Sequence, residues 1–423
     1  MSSRSAPQES LPREVRVLVA VAFFVALGFG IVAPALPVFA RDFGVGKASA
    51  AAVISAFAIM RIAFAFPAGR LLDRFGERIV MATGIGIVAV SSMLAGSAQS
   101  YTELITLRGI GGVGSAMFSV SAIGLLIRMT APEQRGRAMG FWQGGFLLGG
   151  ITGPVVGGVI DEISIRLPFF IYAGTLAAAG AVGLIQLRAT PLADRTHAAA
   201  ARTKLADALR NPSYRAALAA NFADSWGAIG VRSALVPLFV TDVLHRKPIW
   251  TGIGFLVVSA LNGATLLPAG RFADNIGRKP LLVGGCLGSG AGIAVLGVWQ
   301  TVPGYLIGLA LLGVGSGLLD VAPGAIVGDL VEGRAGPVFA AYTMSSDVGT
   351  VVGPVAAGAI ADASYGAAFL STSAILGLAA VMAVAAPETR GRSAQGPLQV
   401  GQQIGHGLDP DGQPNEIGRD LES

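Results

Sequence analysis

A chain of 423 residues that is 53% apolar and only 13% charged has about half the charge share usual for a soluble domain, which argues against a soluble enzyme. The formal charge of +5 does not mark a nucleic-acid binder, because the basic residues sit in short connections rather than on one basic face. The lone Cys286 excludes an intrachain disulfide and a cysteine-cluster metal site.

Taken in chain order, a polar N-terminal tail (1–14) leads into an apolar run at 15–40. That run is too long for the apolar core of a signal peptide and lacks a small-residue cleavage site, so it reads as a retained membrane span. Five more uncharged stretches follow at 48–68, 79–98, 102–127, 138–160 and 168–188, each close to the roughly 20 residues that cross a bilayer as helix. The segment 189–213 is polar and basic and contains Pro191 and Pro212; it reads as a linker, with a short amphipathic helix over Thr203–Arg210. Six further spans are predicted at 214–241, 250–269, 280–300, 303–328, 337–361 and 366–386. The tail 387–423 is rich in Gly, Gln, Pro and charge and is expected to be disordered. The predicted fold is an all-α membrane protein of twelve transmembrane helices in two six-helix bundles, 15–188 and 214–386.

An even number of spans places both termini on one side. Of the 30 Lys and Arg residues, 22 fall on the tails and on the loops of that side, whereas five (Arg41, Lys47, Arg166, Arg246 and Lys247) fall opposite. Basic loops resist translocation, so both termini are expected to be cytoplasmic.

The halves repeat one another. Pro67-Ala-Gly-Arg70, Asp73, Gly76 and Arg78 recur 201 residues later as Pro268-Ala-Gly-Arg271, Asp274, Gly277 and Lys279, and Gly112-Val-Gly-Ser115 recurs as Gly313-Val-Gly-Ser316. Pro37 and Asp42 match Pro237 and Asp242, and Gly153-Pro154 match Gly353-Pro354. Four blocks in constant order indicate a duplicated six-helix unit. Two such repeats in the same orientation leave a cleft between them at mid-depth.

On these motifs the chain resembles the major facilitator superfamily over nearly all of 15–386, and in particular its twelve-helix drug:proton antiporter branch. Gly69-Arg-Leu-Leu-Asp-Arg-Phe-Gly-Glu-Arg78 matches the family's loop between spans 2 and 3, with its echo at Gly270–Lys279. The resemblance implies a conformational latch built from Gly69, Arg70, Asp73, Arg74, Gly76 and Arg78, and from Gly270, Arg271, Asp274 and Gly277 with Asp329 nearby. The family usually has an acid at the end of span 4, where this chain has Arg128, while Glu77 stands at a normally basic position. The first latch therefore either pairs in reverse, Glu77 with a base, or is weak. Arg108-Gly-Ile-Gly-Gly-Val-Gly-Ser-Ala116 is similar to the family's arginine motif, which implies a link between Arg108 and proton transfer. In span 5, Gly140, Gly149, Gly153-Pro154 and Gly157-Gly158 match the glycine-proline pattern of the antiporters. Gly149, Gly153 and Gly157 share one helix face and allow close approach, and Pro154 bends the helix.

Three acids lie within spans, Asp224, Asp320 and Asp347, and three bases, Arg61, Arg108 and Arg232, the last toward the outer end of span 7. Ionisable groups at this depth face a cavity or a partner rather than lipid, and such carboxylates are candidates for proton or cation binding. The N-terminal half thus offers cations and the C-terminal half mostly anions, a division suited to pairs between the bundles. Gln143, Asn221, Trp226, Asn262 and Trp142 are candidate cleft residues. No catalytic constellation, metal-ligand spacing or cofactor loop is apparent, and His197, His245 and His406 fall in loops or the tail. The expected activity is proton-coupled efflux of small amphipathic compounds by a monomer in the bacterial inner membrane, with protons, the lipid bilayer and a small-molecule substrate as its partners and no cofactor. A facilitator or symporter importing a polar metabolite is the alternative; a non-transporting receptor is disfavoured.

Overall fold

The computed structural model describes residues 12–130, 134–186, 205–330 and 336–389. The first eleven residues, most of the linker and the tail beyond Thr389 lie outside the described residues, as does the Asp274 side chain. Helices account for nearly all of what is described, with no strand among the described residues. The N-terminal half comprises α1 (Arg13–Val32), α2 (Ala35–Arg41), α3 (Lys47–Phe75), α4 (Glu77–Gly96), α5 (Tyr101–Arg128), α6 (Arg135–Asp161) and α7 (Leu167–Gln186). After α8 (Leu205–Arg210), the C-terminal half comprises α9 (Pro212–Asp224), a π-helical turn (Ser225–Val231), α10 (Arg232–Asp242), α11 (Ile249–Asn275), α12 (Arg278–Val298), α13 (Val302–Leu319), α14 (Ala322–Asp329), α15 (Gly336–Ala363) and α16 (Tyr365–Ala385).

Local chemistry sets the helix ends. Ser100 caps α5 by accepting from the Glu103 amide at 3.3 Å, while the Glu103 carboxylate accepts from the Gln99 amide at 2.7 Å. Asn211, Thr301 and Ser364 cap α9, α13 and α16 in the same way. The chain reverses within one residue between α3 and α4 and within two between α11 and α12. Gly76 and Gly277 take φ of +80° and +119° there, conformations that a Cβ would strain.

Eleven described segments are long and apolar enough to cross a membrane. The twelfth span is legible as α9, the π turn and α10, none of which has that length alone. Spans 1 and 10 are interrupted too, at Ala33–Pro34 and at Asp320–Val321. Large apolar side chains such as Phe66, Ile185 and Val298 remain exposed on the surface, the arrangement that lipid accepts and water does not.

The two halves pack alike. α1 lies on α6 as α9 and the π turn lie on α15, α4 lies on α5 as α12 lies on α13, and α3 lies on α5 as α11 lies on α13. Glycine makes these approaches possible: a methyl on Gly149 would lie 2.6 Å from the Leu27 nitrogen and the Phe23 oxygen, and one on Gly153 would lie 2.7 Å from Gly30 Cα. Gly157 meets the Ile31 carbonyl in the same manner. The glycine face of α6 therefore docks on α1 inside its own bundle. Of the glycine-proline motif, Gly158 and the Pro154 carbonyl reach the other bundle, at Gly252 and Ile249 of α11, while Gly140 faces open space.

Candidate transport cavity

The bundles meet along three seams, α3 with α15, α6 with α11 and α2 with α10. We call the side bearing Gly76 and Gly277 the terminal side and its opposite the distal side. Every hydrogen bond and ion pair described between the bundles lies between mid-depth and the distal side. Arg41 pairs with Asp242 at 3.3 Å, and Tyr365 donates to the same carboxylate at 2.7 Å. The Lys47 amide donates to Asp362 at 2.9 Å and its ammonium to the Ala361 carbonyl at 2.6 Å. Ser55 donates to the Val351 carbonyl at 2.6 Å. Deepest of all, Arg61 pairs with Asp347 at 2.6 Å. In both ion pairs the base comes from the N-terminal half and the acid from the C-terminal half, so opposite charges draw the bundles together on this side. Among the described residues none of these contacts joins the bundles toward the terminal side. The cleft is shut distally and opens toward the terminal side.

Above that opening lies a cavity of about 330 Å³ lined by Phe29, Phe57, Arg61, Phe146, Arg232 and Phe255 among others. A second space of about 230 Å³ shares Phe29, Phe57, Arg61 and Ser233 with it and adds Arg108. Charged side chains are thus brought to the cleft from both halves. Arg61 follows Phe57 by one turn of α3, and Arg108 lies on the neighbouring α5 with its guanidinium 4.5 Å from the Phe57 ring centroid.

The π turn sets the acidic cluster. Asp224 ends α9, Arg232 begins α10, and the wider seven-residue turn between them re-aims both side chains relative to a continuous α-helix. Ser316 of α13 donates to Asp224 at 3.0 Å, and Asn262 of α11 donates to Asp320 at 2.8 Å. Arg232 acts electrostatically on both carboxylates and lies over the Phe255 ring at 5.3 Å. It is half-buried and lines the cavity, deeper than the outer-end position expected from sequence. Phe255, Ser259 and Asn262 share one face of α11, so the Asn262–Asp320 pair continues the cavity wall toward the open side. Asp320, at the break in span 10, keeps accessible surface.

Other candidates are placed elsewhere. Asn221 donates to the Tyr342 carbonyl at 2.8 Å and to Ser345 Oγ at 2.9 Å, and so ties α9 to α15 inside one bundle. Trp226 donates to Thr372 Oγ1 at 3.4 Å and backs onto Gly353. Trp142 is buried between Phe118 and Phe146. These three are packing residues of their bundles. Gln143 is exposed on the α6 face that carries Phe146 and Gly150, nearer the open side.

At the first latch Glu77 pairs with Arg128 at 2.8 Å, the reverse of the family's usual arrangement. Arg78 donates to the Leu184 carbonyl, and Arg70 and Arg74 lie over Phe66 and Phe75. At the second, Asp329 meets Arg278 at 2.9 Å rather than Arg271, which is exposed. The residues after α16 also depart from the expected disorder as far as Thr389. Ser213 donates to the Pro387 carbonyl at 2.8 Å, and Glu388 accepts from the Arg278 and Lys279 amides at 3.0 and 3.1 Å, capping α12. Asp161, buried at the distal end of α6 with Oδ1 lacking a hydrogen-bond partner among the described residues, lies one residue beyond the span drawn from sequence and was missed for that reason.

Residues 18–261 and 217–404 match the family model described as Major Facilitator Superfamily. The chain belongs to the major facilitator superfamily. Among curated relatives, this superfamily member is 28% identical over 303 residues to the synaptic vesicular amine transporter of Bos taurus, a match covering 70% of the chain and 57% of the relative. The matched region thus spans little more than half of that protein. Multidrug resistance protein 1 of Bacillus subtilis (strain 168) is 24% identical over 376 residues, covering 88% of the chain and 96% of the relative. The quinolone resistance protein NorA of Staphylococcus aureus is 29% identical over 164 residues, 39% of the chain and 42% of the relative. Among solved structures, a bacterial homologue of the human lysosomal transporter Spinster, inward-facing and occupied, superposes with a TM-score of 0.73 at 14% identity, covering 89% of the chain and 97% of the other. The nucleoside transporter NupG superposes with 0.70 at 13% identity, over 88% and 99%.

Proposed function

We propose that the protein is a secondary active transporter that exports small amphipathic compounds in exchange for protons, by alternating exposure of one cleft between its two bundles. The arrangement that carries the coupling is the C-terminal cluster, in which Ser316 holds Asp224, Asn262 holds Asp320, and Arg232 acts electrostatically on both carboxylates. Two carboxylates on one guanidinium leave an excess negative charge deep in the membrane, and the least costly way to remove it is for the pair to hold a proton. Asp320 borders the open vestibule, which supplies a route for that proton. The glycine-proline pattern of α6 and the multidrug relative, matched along most of both chains, support the outward direction. The reading places the protein in the bacterial inner membrane with both termini cytoplasmic, as the basic residues of the terminal side argue, and assigns Gly76, Gly277 and the Glu77–Arg128 and Arg278–Asp329 pairs to latches that meet when that side closes. No cofactor is required beyond the proton gradient.

Flux of an amphipathic dye in proteoliposomes under imposed pH gradients of either sign tests this. Transport should run against the proton gradient and reverse with it. Asp224→Asn together with Asp320→Asn should abolish gradient-driven flux while the protein still inserts and assembles. Flux indifferent to the gradient, or unchanged in the double variant, refutes proton coupling through this pair.

A further inference from the structure

The acidic cluster leaves Arg108 unexplained. Arg108 is only 2% exposed, and among the described residues its Nε has no hydrogen-bond partner and it forms no ion pair. Its neighbours are the Phe57 ring and the neutral Tyr172. Of the other two cavity arginines, Arg61 pairs with Asp347 at 2.6 Å, and Arg232, whose Nε likewise lacks a hydrogen-bond partner among the described residues, has two carboxylates, Asp224 and Asp320, acting on it electrostatically. A guanidinium cannot shed its charge, and burying one without a counter-ion is costly. Nor does folding require it: the repeat partner in α13 is Leu309, buried in the equivalent packing.

The side chain instead borders a cavity. Arg108 lines the space of about 230 Å³ that also holds Phe29, Phe57 and Arg61 and that joins the larger cavity. The planar guanidinium fork matches a carboxylate, and Arg61, 41% exposed at its side chain, presents a second cation to the same space. Around these charges the walls are aromatic, with Phe29 and Phe57 rings 6.2 Å apart and Phe118, Phe146 and Phe255 beyond. We propose that Arg108 is an anion-recognition site and that the compounds carried bear a carboxylate on an aromatic body. The inference rests on the transport reading and names the substrate class of the same cavity.

The test uses the purified full-length protein and three probes on one ring system: 2-naphthylacetate, its amide, and 2-naphthylethylamine. Radiolabelled 2-naphthylacetate should bind, the amide should compete at least tenfold more weakly, and the amine should compete no better than the amide. Arg108→Gln should weaken binding of the acid about 10- to 100-fold, the loss of one charge-assisted contact. It should not lower the thermal midpoint of the empty protein, because it removes an uncompensated charge. Equal binding of acid and amide, no binding of the acid, or a lowered midpoint with unchanged binding of the acid each overturns the proposal. Should Arg108→Gln fail to fold, the same comparison is made with Arg108→Lys, which keeps the charge and loses the fork: unchanged affinity for the acid then overturns it. Gradient-driven dye flux measured in parallel separates the failures. Flux without acid selectivity sinks the carboxylate site alone, whereas acid selectivity without any flux sinks the transport reading and leaves the site standing.

Discussion

The distal closure can be pried open at a single glycine. Gly252 of α11 packs against α6 of the other bundle, and a methyl built there would lie 2.7 Å from the Pro154 carbonyl oxygen and 3.4 Å from Gly158 Cα. The clashing atom is backbone in the middle of a packed helix, so the two bundles must separate locally for Gly252→Ala to be accommodated. Overpacking of this kind costs about 1–3 kcal/mol. The cost falls only on the state in which α6 and α11 touch distally, so the equilibrium between the two exposures should move by about 5- to 150-fold toward the distally open form. The assay is cysteine accessibility. The native thiol, Cys286, is fully buried and gives a quiet background. With Ser233→Cys as reporter on the cavity wall, labelling by a membrane-impermeant maleimide added from the distal side should accelerate by that factor in the Gly252→Ala background. Gly263→Ala, whose methyl would meet Leu147 at an ordinary 3.5 Å, should leave the rate unchanged. Equal labelling rates with and without Gly252→Ala would refute the claim that this contact holds the distal side shut.

Two further outcomes follow from single contacts. Glu77→Gln strips the counter-ion from a mostly buried Arg128 and should lower stability by on the order of 1–3 kcal/mol, visible as a lower thermal midpoint; Glu77→Arg combined with Arg128→Glu should recover most of that loss, and no recovery would mean that the two do not act as a pair. Asn221→Ala removes two hydrogen bonds between α9 and α15 and should cost about 1–3 kcal/mol of stability, while leaving the affinity of the folded protein for its compounds unchanged; a changed affinity with an unchanged midpoint would return Asn221 to the cavity.

Hydropathy and repetition were enough to give the membrane class, the span positions and the duplicated halves, because each rests on one-dimensional regularities: a helix must be apolar over the bilayer's thickness, and a duplicated gene keeps its spacing. The embedded ionisable residues were legible for the same reason, since a charge inside an apolar run stands out. Their partners were not. Arg61 meets Asp347 across 286 residues, and Asp224 and Asp320 come within electrostatic reach of Arg232 only because a π turn and a break in span 10 re-aim them. Asn221 and Trp226 look like cleft residues in one dimension, yet helix rotation turns them onto α15 and α16. Glu388 illustrates the same limit in the opposite sense: a polar, glycine-rich context predicts no structure, but the exposed amides at the start of α12 hold its carboxylate. Sequence alone determined which segments cross the membrane and which of them carry charge, because burial in lipid acts on each segment separately. Tertiary structure decided which charges neutralise one another and which, like Arg108, remain uncompensated, because that depends on distances of a few ångströms between helices far apart in the chain.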